Sequence, residues 1–161
     1  MADSDTLKAI LRLFNYGLFI ATCSGDEGPR AATVSWVSQV SFEPKQIAVA
    51  LRKGTSICEG VQKCGRFGLH VVGENQPELA RAFFKVLQVG PADIAGFRYW
   101  ISPTGVPILG AAIAWMECEV VEQAGHSGDH VLFIATVVGA DIQAPGIRPL
   151  ALHDTVWHYG G

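Results

Sequence analysis

The chain has 161 residues, 49% of them hydrophobic and 17% charged, with a net charge of −3. That composition describes a single core-forming domain over residues 1–161 and excludes a disordered tail or a tandem array. Twelve basic and fifteen acidic residues, spread without blocks, offer no surface for nucleic acid. No apolar run reaches the roughly 18 residues of a membrane span, and the acidic start at residues 1–5 is unlike a secretory leader, so a soluble, cytoplasmic protein with no membrane partner is expected. So few charges on a small chain leave apolar surface for a second copy to cover, and a homodimer is expected. Cys23, Cys58, Cys64 and Cys118 lack CxxC spacing and read as buried, reduced thiols rather than a disulfide frame or zinc site.

In chain order, Leu7, Ile10, Leu11 and Phe14 recur at helical spacing, with Asp5 as cap and Gly17 as stop. Residues 18–23 form a short apolar run, 24–29 have turn chemistry, and 31–40 resume a β-branched pattern, which together predict a hairpin. Along its second strand Thr33, Ser35 and Ser38 interleave with Val34, Trp36, Val37 and Val40. A turn at 43–45 leads to a strand, 47–51, that alternates little and is predicted to be buried on both faces. Arg52-Lys53-Gly54-Thr55-Ser56 then joins a helix over 57–63, where Ser56 and Glu59 fit a capping box. A strand over 67–72 and a helix over 76–85, with Leu79, Ala80, Phe83 and Phe84 on one side, come next.

Residues 86–105 show no clear period. With Phe97, Tyr99 and Trp100 they read either as a lid or as an irregular dimer contact. Two long strands, 113–123 and 130–142, flank a turn at 124–129, and 150–152 with 155–159 supply short closing strands. Many strands and few helices predict a mainly β, antiparallel, closed or partly closed barrel.

The 52–56 junction carries the strongest local chemistry. A helix start presents unpaired N–H groups and a positive dipole end to an anion; Arg52, Lys53 and the hydroxyls of Thr55 and Ser56 complete a phosphate cradle. The plainer reading is an N-cap beside two solvated cations. GxxxxGK[ST] and a strand-following GxGxxG are both missing, so neither a P-loop nor a Rossmann site is supported. With a phosphate at the junction, the Thr33-Val34-Ser35 strand offers apolar walls and hydroxyl donors to an attached heteroaromatic ring, a pairing that fits FMN; a solvent-facing strand is the alternative. His126 and His130 do not have zinc-helix spacing, and no metal site is expected. Asp129 beside His130 is suited to holding an imidazole at a pocket mouth. His70 reads as a core residue, while His153 and His158 line a pocket or the surface.

Six fragments, in order, resemble the flavin reductase-like, FMN-binding split-barrel family over residues 11–159. They are Tyr16-Gly17-Leu18-Phe19-Ile20-Ala21-Thr22, the run from Thr33-Val34-Ser35 through Pro44, Gly65-Arg66-Phe67-Gly68-Leu69-His70-Val71-Val72, and Glu78-Leu79-Ala80-Arg81-Ala82-Phe83. Gly105-Val106-Pro107-Ile108-Leu109 with Ala114-Trp115-Met116-Glu117-Cys118, and Gly128-Asp129-His130-Val131-Leu132-Phe133-Ile134, complete the set. The resemblance implies a homodimeric, Greek-key split barrel holding FMN, or FAD, near the subunit interface. Thr33, Val34, Ser35, Trp36, Val37, Gln39 and Val40 match ring and ribityl contacts, and Gly54, Thr55 and Ser56 match the phosphate loop. His130 matches the histidine where a nicotinamide approaches the flavin, and 153–159 would close over that place. Gln39 stands where a Ser is usual and Trp36 where an Ala is common. The implied activity is NADH- or NADPH-dependent flavin reduction, often feeding a partner monooxygenase. The rivals are an FMN electron-transfer module without NAD(P)H oxidation and a flavin-free interaction protein.

Overall fold

A computed structural model describes residues 3–85, 87–125 and 127–159; His126 lies outside them. A seven-stranded antiparallel sheet dominates. Its strands are β1 (Phe19–Cys23), β2 (Arg30–Val34), β3 (Val37–Ser41), β4 (Gln46–Arg52), β5 (Arg66–Val71), β9 (Ala114–Ala124) and β10 (His130–Ile142), and they run in the order β2-β1-β5-β9-β10-β4-β3. The two edges, β2 and β3, are consecutive in the chain and separated only by Ser35 and Trp36. The sheet must therefore curl until its edges meet at that pair, which makes a barrel split along one seam. Ala50 N–H donates to the Trp36 carbonyl (3.0 Å), which extends the β3–β4 ladder up to the seam. The predicted continuous strand over 31–40 is thus two strands on opposite edges.

Side-chain alternation fills the barrel. Ala21 and Cys23, Ile47, Val49 and Leu51, Phe67 and Leu69, and Val131, Phe133 and Ala135 point inward at every second position. Each fully buried Phe or Leu contributes about 1.5–3 kcal/mol. Helix α2 (Ser56–Cys64) closes one end with Ile57 and Val61. A second core lies outside the barrel wall. It joins Leu18, Ile20 and Ala31 to α3 (Pro77–Ala82), to Leu109 and to Leu150 and Leu152.

Several expectations shift. Helix α1 (Ser4–Leu11) is capped by Asp3, whose carboxylate accepts from the N–H groups of Asp5 and Thr6, and none of its residues is buried; Leu7 and Ile10 on its apolar stripe stay about half exposed. Residues 86–105 are not structureless. They hold β6 (Asp93–Ile94) and β7 (Phe97–Ile101), which pair with β8 (Pro107–Leu109) in a small separate sheet. Short strands hid the period. The predicted closing strands at 150–152 and 155–159 are instead a single bridge, Gly17 to Ala151, and a 3-10 turn, Leu152–Asp154. That stretch is nonetheless anchored, since Leu18 N–H donates to the Leu150 carbonyl and Leu152 N–H to that of Tyr16. Cys64 is exposed, while Cys23, Cys58 and Cys118 are buried. No helix among the described residues is long and apolar enough to cross a membrane.

Candidate active site

The strand β2 and the β4–α2 junction, treated separately in the sequence, face one cavity of about 370 Å³, within the roughly 300–1,000 Å³ range of small-molecule sites. Thr33, Val34 and Ser35 form one side, Arg52, Thr55 and Ile57 a second, and Leu18, Phe83, Phe84 and Trp157 the apolar remainder. The seam explains the meeting. β2 departs from the sheet edge at Ser35, and β4, paired to the opposite edge strand, delivers Arg52 and the helix start beside it.

Of the two hydroxyls at the end of β2, on Thr33 and just past it on Ser35, Thr33 Oγ1 donates to the Ala80 carbonyl of α3 (2.6 Å). Ser35 Oγ is different: the residue is 3% exposed and its hydroxyl has no hydrogen-bond partner among the described residues. An orphaned buried hydroxyl on a cavity wall costs on the order of 1–3 kcal/mol, which a polar ring edge would relieve.

At the junction, Thr55 rather than Ser56 caps α2. Its backbone is extended and its Oγ1 accepts from Cys58 N–H while donating to the Arg52 carbonyl (2.7 Å). Capping needs non-helical backbone, and Ser56 is already helical. Gly54, at φ +74°, supplies the left-handed turn that brings Thr55 under the helix. The first-turn N–H groups of Ser56 and Ile57 have no intrahelical acceptors and face outward with the dipole. Arg52 lines the cavity. Lys53 is held back, its N–H donating to the Asp129 carbonyl and its Nζ to that of Gly128.

Trp36 and Val37 turn to the other side of the seam, onto a shallower hollow with Phe14, Tyr16 and Leu132. Gln39 and Val40 lie farther along β3 beside Ser41 and Phe42, outside the main cavity. Asp129 and His130 sit at the start of β10, opposite Arg52. His130 Nδ1 is 2.7 Å from Asp129 Oδ1, and hydrogen bonding to His130 holds the Asp129 carboxyl below its ordinary range, so a carboxylate accepts from Nδ1–H. Nε2 is then the acceptor for the Tyr159 hydroxyl (2.8 Å), which burial keeps protonated. Trp36 covers the same imidazole, with ring centroids 4.4 Å apart.

The C-terminal residues complete the enclosure. Leu152, Trp157, His158 and Tyr159 all line the cavity, and Trp157 meets Phe84 edge-on (4.8 Å). Phe83 and Phe84 were not legible as site residues, because they read as one face of a helix, whereas Tyr159 lies in the 153–159 segment that the family resemblance put over the site. His153 is exposed and pairs with Asp154. His70 is a core residue. None of Phe97, Tyr99 and Trp100 lines the cavity, so they are not its lid. Among the described residues no group of three or more His, Cys, Asp or Glu is disposed to hold a metal ion.

Comparison with known proteins matches this arrangement. The flavin reductase like domain covers residues 11–160. Diflavin flavoprotein A 1 of Synechocystis is 35% identical over 98% of this chain, which spans only 27% of that protein; the first relatives found are about four times longer than the segment they share with it. The NADH-dependent flavin reductase StyB of Pseudomonas fluorescens is 30% identical over 97% of this chain and 89% of its own length. The solved styrene monooxygenase flavin reductase SMOB of Pseudomonas putida S12 superposes with a TM-score of 0.76 at 30% identity, covering 92% and 91% of the two chains. The split seam, the cavity it opens and these matches across nearly the whole length agree, and the chain belongs to the flavin reductase like domain family.

Proposed function

We propose that the chain is an NAD(P)H-dependent flavin reductase that passes hydride from nicotinamide to a flavin, FMN before FAD, in the cavity between β2 and the start of α2. The single observation that carries this is that Ser35, whose buried hydroxyl has no partner among the described residues, lines the same cavity as a helix N-terminus. A bound flavin would supply the electron-accepting ring and the nicotinamide the hydride. The chain itself supplies position and exclusion of water. Ser56 and Ile57 N–H with Arg52 would hold the phosphate, Ser35 Oγ would meet the ring edge, and Phe83, Phe84 and Trp157 would keep solvent out. Asp129 fixes the imidazole of His130 so that Nε2 faces away from it; with Tyr159 swung aside, that nitrogen would orient a carboxamide and move no proton. The styrene monooxygenase flavin reductase among the relatives supports a partner oxygenase as the sink for reduced flavin, and a homodimer is part of the same proposal.

Anaerobic titration with NADH and then NADPH, followed at the flavin absorbance, tests the reading: bleaching supports it, and a band that stays oxidised in excess of both overturns it. His130→Ala is expected to raise the KM for NADH about tenfold, the worth of one hydrogen bond, with little change in flavin affinity. The second reading, an electron-transfer module fed by another protein, is favoured by one feature. His130 has both ring nitrogens engaged and Trp36 over its face, which leaves no room for nicotinamide unless Tyr159 moves.

A further inference from the structure

Cys23 ends β1 and Cys64 ends α2. Ile57, Gly60 and Cys64 fall on one face of α2 by their spacing, and that face looks onto β1. Cys23 Sγ lies 4.0 Å from the Ile57 carbonyl oxygen, and a methyl at Gly60 would stand 2.5 Å from the same sulfur. The missing side chain at Gly60 lets the strand sulfur sit against the helix one turn before Cys64, close enough for each thiol to shift the other's titration. Their access differs. Cys23 is 0% exposed and Cys64 is open to solvent. Neither lines the cavity, so the chemistry of this pair is independent of the flavin reading.

We propose that Cys64 and Cys23 form an oxidisable dithiol, a modification site at which a hydroperoxide reacts first with Cys64 and Cys23 then closes a disulfide. In the first step the Cys64 sulfur attacks one peroxide oxygen; an S–O bond forms, the O–O bond breaks, and the departing hydroxide is protonated to water. In the second the Cys23 sulfur attacks the sulfenic sulfur; an S–S bond forms, the S–O bond breaks, and the leaving hydroxide takes the Cys23 proton. Two thiols lose two electrons and two protons, and one hydrogen peroxide becomes two waters.

The surroundings suit these unequal roles. The neighbouring Cys23 thiol is the main influence lowering Cys64, to about 6, with help from the backbone N–H groups of Arg66, Cys64 and Ser24. The Arg66 carbonyl, 3.0 Å from Cys64 Sγ, favours the thiol and does not outweigh them. The same contact, then burial, drives Cys23 upward. The solvent-facing sulfur, lowered into the neutral range, is therefore the nucleophile, and the buried one follows in the second step. Cys58 and Cys118, raised by burial, are poor competitors.

The test uses the full wild-type chain, reacted with one equivalent of hydrogen peroxide at pH 7, alkylated with N-ethylmaleimide, and mapped by non-reducing peptide mass spectrometry. The expected product is a dithiothreitol-reversible Cys23–Cys64 cross-linked peptide, with Cys58 and Cys118 alkylated only after unfolding. Without peroxide, Cys64 should alkylate in the folded chain at pH 7 while Cys58 and Cys118 do not, with its half-maximal rate near the thiolate's low pKa rather than near 9. Cys23→Ala should leave a sulfenic acid at Cys64 that dimedone traps, and Cys64→Ser should give neither product. Cys64 remaining fully maleimide-reactive after peroxide, or a disulfide joining any other pair, overturns the proposal. So does an alkylation profile centred near pH 9. The wild-type map decides the matter even if a variant fails to fold.

Discussion

Thr33 and Ser35 are chemically alike and two positions apart, yet they have opposite fates. Thr33 donates its hydroxyl to Ala80, 47 residues away in the chain, and so holds α3 against β2; Ser35 keeps its own unspent. Ser35→Ala is therefore expected to weaken FMN binding about fivefold, near 1 kcal/mol. The urea midpoint of the flavin-free protein should stay unchanged or rise, because the deleted group is unsatisfied without a ligand. Fluorescence titration and chemical unfolding check the two halves; a falling midpoint with unchanged FMN affinity would make Ser35 structural. That hydroxyls belong on this strand was legible from its alternation with Val34 and Trp36. Which one remained free was not, because the answer lies in a carbonyl on another element.

Among the elements, α2 does the most with the least sequence. Thr55 caps it, Gly54 turns into it, and its inner face closes the barrel. Thr55→Ala should cost about 1 kcal/mol of stability, the usual worth of a cap, and should reduce FMN affinity more than riboflavin affinity, since only FMN carries the phosphate. Strand β5 provides a different test. His70 is fully buried, its Nδ1–H donating to the Ile20 carbonyl and its Nε2 accepting from Leu109 N–H, so the neutral ring stitches β1, β5 and β8. Burial pushes it down to about 4 from an ordinary 6.5. As pH falls below 6.5 the unfolded chain takes the proton first, so this residue's effect is nil above 6.5 and destabilising by pH 4, by roughly 3 kcal/mol. His70→Gln should flatten that slope in urea unfolding measured between pH 7 and 4; an unaltered slope would show that the ring protonates in place. The one-residue displacement of the cap from Ser56 to Thr55 shows the limit of pattern reading, since S-x-x-E is a statement about composition and the cap is a statement about φ and ψ.

For the molecule as a whole, the unspent apolar surface is the outstanding fact. Leu13, Phe42 and Ile142 are 80%, 87% and 67% exposed, and α1 buries none of its apolar residues. Surface of that kind is covered in most soluble proteins. Sedimentation velocity at micromolar concentration should give a dimer's mass, and Phe42→Ser, on the β3 side of the seam, should shift the equilibrium toward monomer without lowering the unfolding midpoint. A wild-type monomer at those concentrations would leave the homodimer without support.

The sequence by itself determined that the protein is mainly β, because period-two alternation is a local property each strand of the main sheet carries within its own five to thirteen residues. It also determined which stretches bear hydroxyls, cations and the Asp129-His130 pair. Only the tertiary structure decided that β2 and β3 lie on opposite edges, that the seam at Ser35 and Trp36 joins two distant segments in one cavity, and that Tyr159 meets His130. The same holds for the approach of Cys23 to Cys64. Each of these depends on contacts between residues far apart in the chain, whose geometry is set by how the whole sheet curls and is written in no local pattern.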